Sequence, residues 1–120
     1  MSSRILVVDD HEAFRAAART MLEEMGLEVV GEADSGESAL DVFESTSPDI
    51  VLLDIQLPGI DGIEVARRLL GSDRPPVVVL TSSRDAEDYA TRLGALPQAV
   101  FIGKTDLSSA ALIAAIDQSS

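Results

Sequence analysis

Four short apolar runs in this chain each stop at a side chain that can do chemistry. Ile5 to Val8 ends at Asp9 and Asp10, Ile50 to Leu53 at Asp54, Val77 to Leu80 at Thr81, and Val100 to Ile102 just before Lys104. Laid side by side as parallel strands, they collect three carboxylates, one hydroxyl and one ammonium along a single edge of a sheet. Two ionised carboxylates ~4 Å apart repel by about 4 kcal/mol at an effective dielectric of ~20, so either a pKa rises or a cation binds. Oxygen-only donors suit a hard ion, and Mg2+ is favoured because it keeps several waters and bridges carboxylate to phosphate. Asp54 stands alone at the end of its strand and is the best nucleophile, giving an aspartyl phosphate without a general base. Lys104 is the only lysine among nine cationic residues. Its compact ammonium could bind one phosphoryl oxygen and the Thr81 hydroxyl another.

The elements that must position these groups alternate along the sequence, strand period with helix period, five times without a linker or repeat. That alternation predicts an α/β fold with a parallel sheet. Right-handed crossovers give the doubly wound strand order 2-1-3-4-5, in which the ligand site lies where the order reverses, between the first and third strands. Asp9, Asp10 and Asp54 end those two strands. Phe14, Ala17, Ala18, Met21, Leu22 and Met25 predict one face of a first helix stopped by Gly26. Leu27 to Ala33, carrying Glu28 and Glu32, predicts a less buried edge strand. Asp34 and Glu37 have the spacing of a capping box opening a helix through Leu40 and Phe43. Pro58, Gly59 and Gly62 mark a loop before a helix carrying Val65, Ala66, Leu69 and Leu70. Ala86, Tyr89, Ala90 and Leu93 predict a fourth helix, and an alanine-rich fifth is expected from about Leu107 to Ile116.

Composition narrows the function classes. A chain of 120 residues, 46% hydrophobic, is expected to form one domain spanning residues 1–120. Twenty-one acidic against nine basic residues give a formal net charge of -12, which disfavours direct nucleic-acid binding. The longest apolar stretch, Ala110 to Ile116, falls far short of the ~20 residues that span a bilayer, and Met1 to Arg4 has no signal-peptide character. A soluble, cytoplasmic protein without membrane attachment is expected. With no cysteine, thiol chemistry and disulfides are excluded.

Together, Ile5-Leu6-Val7-Val8-Asp9-Asp10, Leu52-Leu53-Asp54-Ile55-Gln56-Leu57-Pro58-Gly59-Ile60-Asp61-Gly62, Val79-Leu80-Thr81-Ser82 and Phe101-Ile102-Gly103-Lys104 resemble the receiver domain of two-component response regulators. The resemblance covers essentially the whole chain and implies the flavodoxin-like (CheY-like) fold, a five-stranded parallel sheet flanked by five helices. It implies that Asp54 accepts a phosphoryl group from a phosphohistidine on a sensor histidine kinase or phosphotransfer protein. Mg2+ would be held by Asp10 and Asp54 directly, by Asp9 directly or through water, and by the backbone carbonyl of Gln56. Thr81 and Phe101 match the family's switch pair, whose movement is read out as homodimerisation or partner release. The segment Asp9-Asp10-His11-Glu12-Ala13-Phe14-Arg15 is most similar to the NarL/LuxR-type subclass, whose helix-turn-helix output domain regulates transcription. No output domain is expected within these 120 residues, and a stand-alone receiver serving a phosphorelay or protein docking is the alternative. Thr105 stands where many receivers have proline, Gly103 replaces an apolar residue, and Leu93 to Gln98 lacks the usual Gly-Ala-x-Gly-aromatic sequence.

Plainer readings stand beside these. Asp9 and Asp10 could merely cap the following helix, although Ala13 completes no capping box. His11 reads as an exposed first-turn residue that neither metal nor catalysis needs. Phe101 could be plain core, Ser82 and Ser83 could only line a loop, and Tyr89 fits either a buried helix face or a dimer patch. A nucleotide- or flavin-binding module would want a glycine-rich turn after the first strand, and Asp10-His11-Glu12-Ala13 has none. An aspartate phosphatase lacks its Asp-x-Asp-x-Thr pattern here and has no evident second acid. An unphosphorylated docking module would not need the charge cluster.

Overall fold

The computed structural model describes residues 3–119. The chain runs β1 (Arg4–Val8), α1 (Glu12–Glu24), β2 (Glu28–Ala33), α2 (Gly36–Thr46), β3 (Ile50–Asp54), α3 (Gly62–Leu70), β4 (Val77–Ser82), α4 (Ala90–Gly94), β5 (Val100–Gly103) and α5 (Ser109–Ser119). Short 3-10 turns at Ala86–Tyr89 and Lys104–Asp106 precede α4 and α5. All strand pairs are parallel in the order β2-β1-β3-β4-β5, as the crossover argument requires. Met1 and Ser2 of the amino-terminal segment, and Ser120 at the end of the expected domain span, lie outside the described residues.

The strand period of two sends successive side chains to opposite faces, and each face has its own core. Leu6, Val8, Val51, Leu53, Val78 and Leu80 pack beneath α2 and α3 with Ala39, Ile63, Ala66 and Leu69. Ile5, Val7, Ile50, Leu52, Val79 and Ile102 pack against α1 and α5 with Ala18, Leu22, Leu112 and Ala115. β1, β3 and β4 are covered on both sides, which explains their unbroken apolar runs. β2 is the half-buried edge expected from its glutamates: Glu28 is exposed and Glu32 is paired with Arg15 and Arg19.

Several local expectations give way. α1 keeps its predicted face except for Ala17, which is exposed, and Gly26 follows the helix with φ of +85°, a conformation glycine adopts without strain. α2 is capped by Ser35, not Asp34: the Ser35 hydroxyl accepts from the Ser38 amide at 3.1 Å. Serine competes equally well for a cap, and the spacing Ser35-x-x-Ser38 sits one residue later than the Asp34-x-x-Glu37 pattern. The fourth helix is the largest departure. The expected continuous helix from Ala86 is a 3-10 turn followed by the five-residue α4. Tyr89 and Leu93 pack on the core while Ala86 and Ala90 are exposed, so only half of the predicted face is used. α5 begins at Ser109, two residues after the expected Leu107, because the Ser108 hydroxyl accepts from the Ala111 amide and caps it.

Candidate acidic site at the sheet's carboxyl edge

The parallel register brings the five chemical side chains to one end. Val8 lies beside Leu53, so the residues that follow them emerge together, and Asp54 is paired in register with Thr81. The β3–α3 loop is drawn tightly over Asp54. Ile55 donates its amide to the Thr81 carbonyl at 2.9 Å, and Gly62 donates to the Ile55 carbonyl at 2.8 Å. A Cβ at Gly62 would collide with the Asp54 carbonyl oxygen and the Ile55 backbone, so only glycine closes this loop.

Asp54 is 2% exposed and Asp9 is fully buried, whereas Asp10 is exposed at the rim. One Asp54 oxygen accepts from the Gln56 amide at 3.1 Å, and the other lies 3.5 Å from the Lys104 ammonium. The same ammonium forms an ion pair with Asp9 Oδ2 at 2.7 Å and rests 4.4 Å from the centre of the Phe14 ring. Lys104 therefore bridges the two buried carboxylates. Burial pushes the Asp54 carboxyl up to about 6, with the Asp9 charge acting in the same direction and the Gln56 amide and Lys104 opposing it. Burial pulls Lys104 down, but contacts with Asp9 and Asp54 outweigh it and leave the ammonium above its ordinary value. Donor atoms of Asp9, Asp10, His11 and Asp54 lie within 4.8 Å of one another. The carboxylate part of this set is the oxygen-rich, electrostatically frustrated arrangement that a divalent cation relieves.

Thr81 is fully buried, and its Oγ1 has no hydrogen-bond partner among the described residues. A buried hydroxyl in that state is rare in a structural role. Phe101 is half-buried against the core beneath α2 and α3 and is paired in register with Leu80. Gln56 lies exposed beyond Asp54, its side-chain oxygen 3.3 Å from the Ser83 hydroxyl. Ser82 accepts from the Arg84 amide at 3.0 Å and sits 3.3 Å from the Tyr89 hydroxyl. Tyr89 is half-buried and turned toward the sheet, while the neighbouring Ala86 and Ala90 are exposed, so the segment is not a buried helix face.

Two further side chains lie against the acids. His11 is the exposed N-cap of α1, in keeping with its reading as a residue at the helix start, and its Nδ1 lies 3.0 Å from both Asp9 Oδ1 and Asp10 Oδ1, a contact that residue type alone does not announce. Its position directly after the acid pair was the available signal. Arg15 donates to the Asp9 carbonyl at 2.7 Å while its Nε bonds Glu32 at 3.1 Å, tying the acidic tip to β2. Its place one helical turn beyond His11 could have suggested this.

Residues 5–117 match the response regulator receiver domain family. Response regulator GacA of Pseudomonas viridiflava is 44% identical over 91 residues, 75% of this chain and 42% of that protein. GacA of Pseudomonas aeruginosa is 42% identical over 91 residues, 75% of this chain and 42% of that protein. A LuxR-family two-component response regulator from Aurantimonas superposes with a TM-score of 0.83 at 30% identity, covering 98% of this chain and 84% of that one. The chain spans about half the length of the curated relatives it matches, between 42% and 55% of the first two. No helix among the described residues is long and apolar enough to cross a membrane.

Proposed function

The chain belongs to the response regulator receiver family, and from that premise we propose that Asp54 is the phosphoacceptor of a two-component switch. The observation that carries this reading is the convergence on one buried carboxylate of an ammonium 3.5 Å away and a buried, unpartnered hydroxyl in the paired register position. An Asp54 oxygen attacks the phosphorus of a phosphohistidine on a sensor kinase or phosphotransfer protein. The O–P bond forms, the N–P bond breaks, and the leaving nitrogen keeps the electron pair. With its pKa near 6, Asp54 is mostly ionised at neutral pH and needs no base to take its proton.

The donor set fits a divalent ion. Carboxylates of Asp9, Asp10 and Asp54, with the backbone carbonyl of Gln56, would hold Mg2+, which when bound offsets their mutual repulsion and the charge of the incoming phosphoryl group. Lys104 holds a phosphoryl oxygen by a charge-assisted hydrogen bond, and the Thr81 hydroxyl donates to a second. Satisfying Thr81 in this way draws it toward Asp54 and vacates space beside it for the Phe101 ring. The output is a population shift in the α4 and β5 region, read as homodimerisation or as release of a partner. Residues 1–120 then constitute one cytoplasmic receiver domain, and the greater length of the relatives supports a transcriptional output domain in the complete protein.

Intact-mass measurement after incubation with a small acyl phosphate and Mg2+ tests the assignment. Wild type is expected to gain a single phosphoryl group and the Asp54→Asn variant none. A gain that persists in the variant removes Asp54 from the role, and steady turnover of phosphomonoesters would identify a phosphatase instead.

A further inference from the structure

We infer that Phe14 is a positioning residue for phosphoryl transfer, its ring holding the Lys104 ammonium at the point from which it can grip a phosphoryl oxygen on Asp54. This rests on the reading of Asp54 as the phosphoacceptor and adds a residue that acts only through Lys104.

Lys104 comes to the site from its loosest side. It follows β5, whose residues are mostly half-buried, and opens a 3-10 turn. Its four-carbon stem is flexible and does not by itself fix where the ammonium stands. Asp9 holds the ammonium at 2.7 Å, but a single ion pair lets it swing about the carboxylate, toward Asp54 or away from it. The Phe14 ring removes that freedom. The ammonium stands over its face, 4.4 Å from the centroid, with Asp54 Oδ2 at 3.5 Å. A cation within about 6 Å of a ring centroid is attracted by the ring's quadrupole, and the attraction grows as the cation leaves water. Lys104 meets that condition, with a side chain only 17% exposed. An aliphatic side chain in the same place would desolvate the ammonium and return nothing electrostatic.

The ring is itself fixed from the acid edge. Phe14 lies in the first turn of α1 and packs against the core that holds Ile5 and Val7 of β1. Its neighbour Arg15 donates to the Asp9 carbonyl at 2.7 Å and bonds Glu32 of β2 at 3.1 Å. Ring and Asp9 thus form one unit. Together they occupy two sides of the ammonium and leave the side toward Asp54 for the oxygen that phosphorylation brings. Phe14 shares a helical face with Ala18 and Leu22, and core packing alone would account for an apolar residue there. Only the distance to Lys104 asks for an aromatic one.

Rates of Asp54 labelling by a small acyl phosphate with Mg2+, read by intact mass in a double-mutant cycle, test the assignment. Phe14→Leu should slow labelling by about three- to tenfold, and Phe14→Tyr, which keeps the ring, by less than about twofold. In a Lys104→Ala background, Phe14→Leu should cost less than about twofold, because the residue through which it acts is gone. Since the chain has one lysine, the Hε resonances of 13C-lysine-labelled protein are unambiguous, and the ring should move them upfield in wild type without any substitution. A loss of equal size with and without Lys104, or equal losses in Phe14→Leu and Phe14→Tyr, would assign Phe14 to core packing. Labelling of Phe14→Leu at the wild-type rate, or wild-type Hε resonances at their ordinary position, would leave Lys104 to Asp9 alone. Each of these overturns the inference while the phosphoacceptor reading stands. If wild type takes no phosphoryl group, that reading falls and the inference with it.

Discussion

The β1–β3 edge and the α4–β5 flank meet beside Asp54 and Thr81 yet are built in opposite ways. At the first, every strand residue from Ile50 to Asp54 is buried, the following loop is locked by Gly62, and Asp9 and Asp54 share one ammonium. At the second, a 3-10 turn and a five-residue helix have no buried residue, and β5 is mostly half-buried. Phosphoryl transfer needs atoms already in place, because its rate comes from positioning and fixed charge. A switch needs a segment whose two arrangements differ by little free energy, and low local contact density supplies that. On the proposed reading the domain separates these demands by strand, with Thr81 and Phe101 on the boundary.

The sharpest way to break this division is at Lys104. Replacement by Ala removes the cation paired with Asp9 and Asp54 and should slow acyl-phosphate labelling of Asp54 by ~10²–10³-fold, the usual effect of deleting a group that stabilises developing charge. Labelling kinetics by intact mass check it. A rate within a few fold of wild type would mean that the edge does not depend on fixed charge. Next comes packing. Leu53→Ala, in the covered centre, should cost ~2–5 kcal/mol, whereas Leu93→Ala in α4 should cost under ~1 kcal/mol. Urea midpoints compare the two, and similar losses would erase the contrast.

The acid edge stores its own instability, and pH exposes it. Asp54 titrates near 6 in the folded metal-free protein against an ordinary value of 3.8. Between these values the folded state keeps a proton that the unfolded chain has released, so stability falls as pH rises through the window. Asp54→Asn should therefore match wild type below about pH 4 and exceed it by up to ~3 kcal/mol above about pH 7 in EDTA. Added Mg2+ should shrink that gap by stabilising wild type. Urea unfolding at both pH values checks the sign, and a variant less stable at neutral pH would refute it.

The same contrast explains what could be read without coordinates. Apolar runs of three or four residues, two of them closed by acids, point to a buried parallel sheet whose helices cover both faces, and the site residues follow from strand ends. The α4 flank was opaque for the reason that suits it to switching. Ala86, Tyr89, Ala90 and Leu93 have helical spacing, but Ala86 and Ala90 add too little apolar area to hold a continuous helix against the sheet. Caps slipped by a residue or two because Ser35 and Ser108 compete with neighbouring polar residues for the same role. His11 read as an exposed helix-start residue, which it is; only its distance to two carboxylates needed the structure.

The smallest expected effect is the most informative about the flank. Arg92 of α4 grips Asp61 with two nitrogens, at 2.8 and 2.9 Å, and Asp61 already caps α3 by accepting from the Glu64 amide at 3.0 Å. The Arg92 hydrogen bond is the main reason that Asp61 lies below the ordinary carboxylate range, so the pair persists at any pH above about 4. An exposed pair of this kind contributes ~0.2–1 kcal/mol, too little to matter to a buried strand. α4 has little else to hold it, so the same quantity is a large share of its local stability. Arg92→Ala should accelerate amide exchange across Ala90–Gly94 by up to about fivefold and leave Ile50–Asp54 unchanged, and raising the salt should mimic it. If α4 exchanges at the wild-type rate, Tyr89 and Leu93 hold the flank, and its freedom to switch resides in β5 and Phe101 alone.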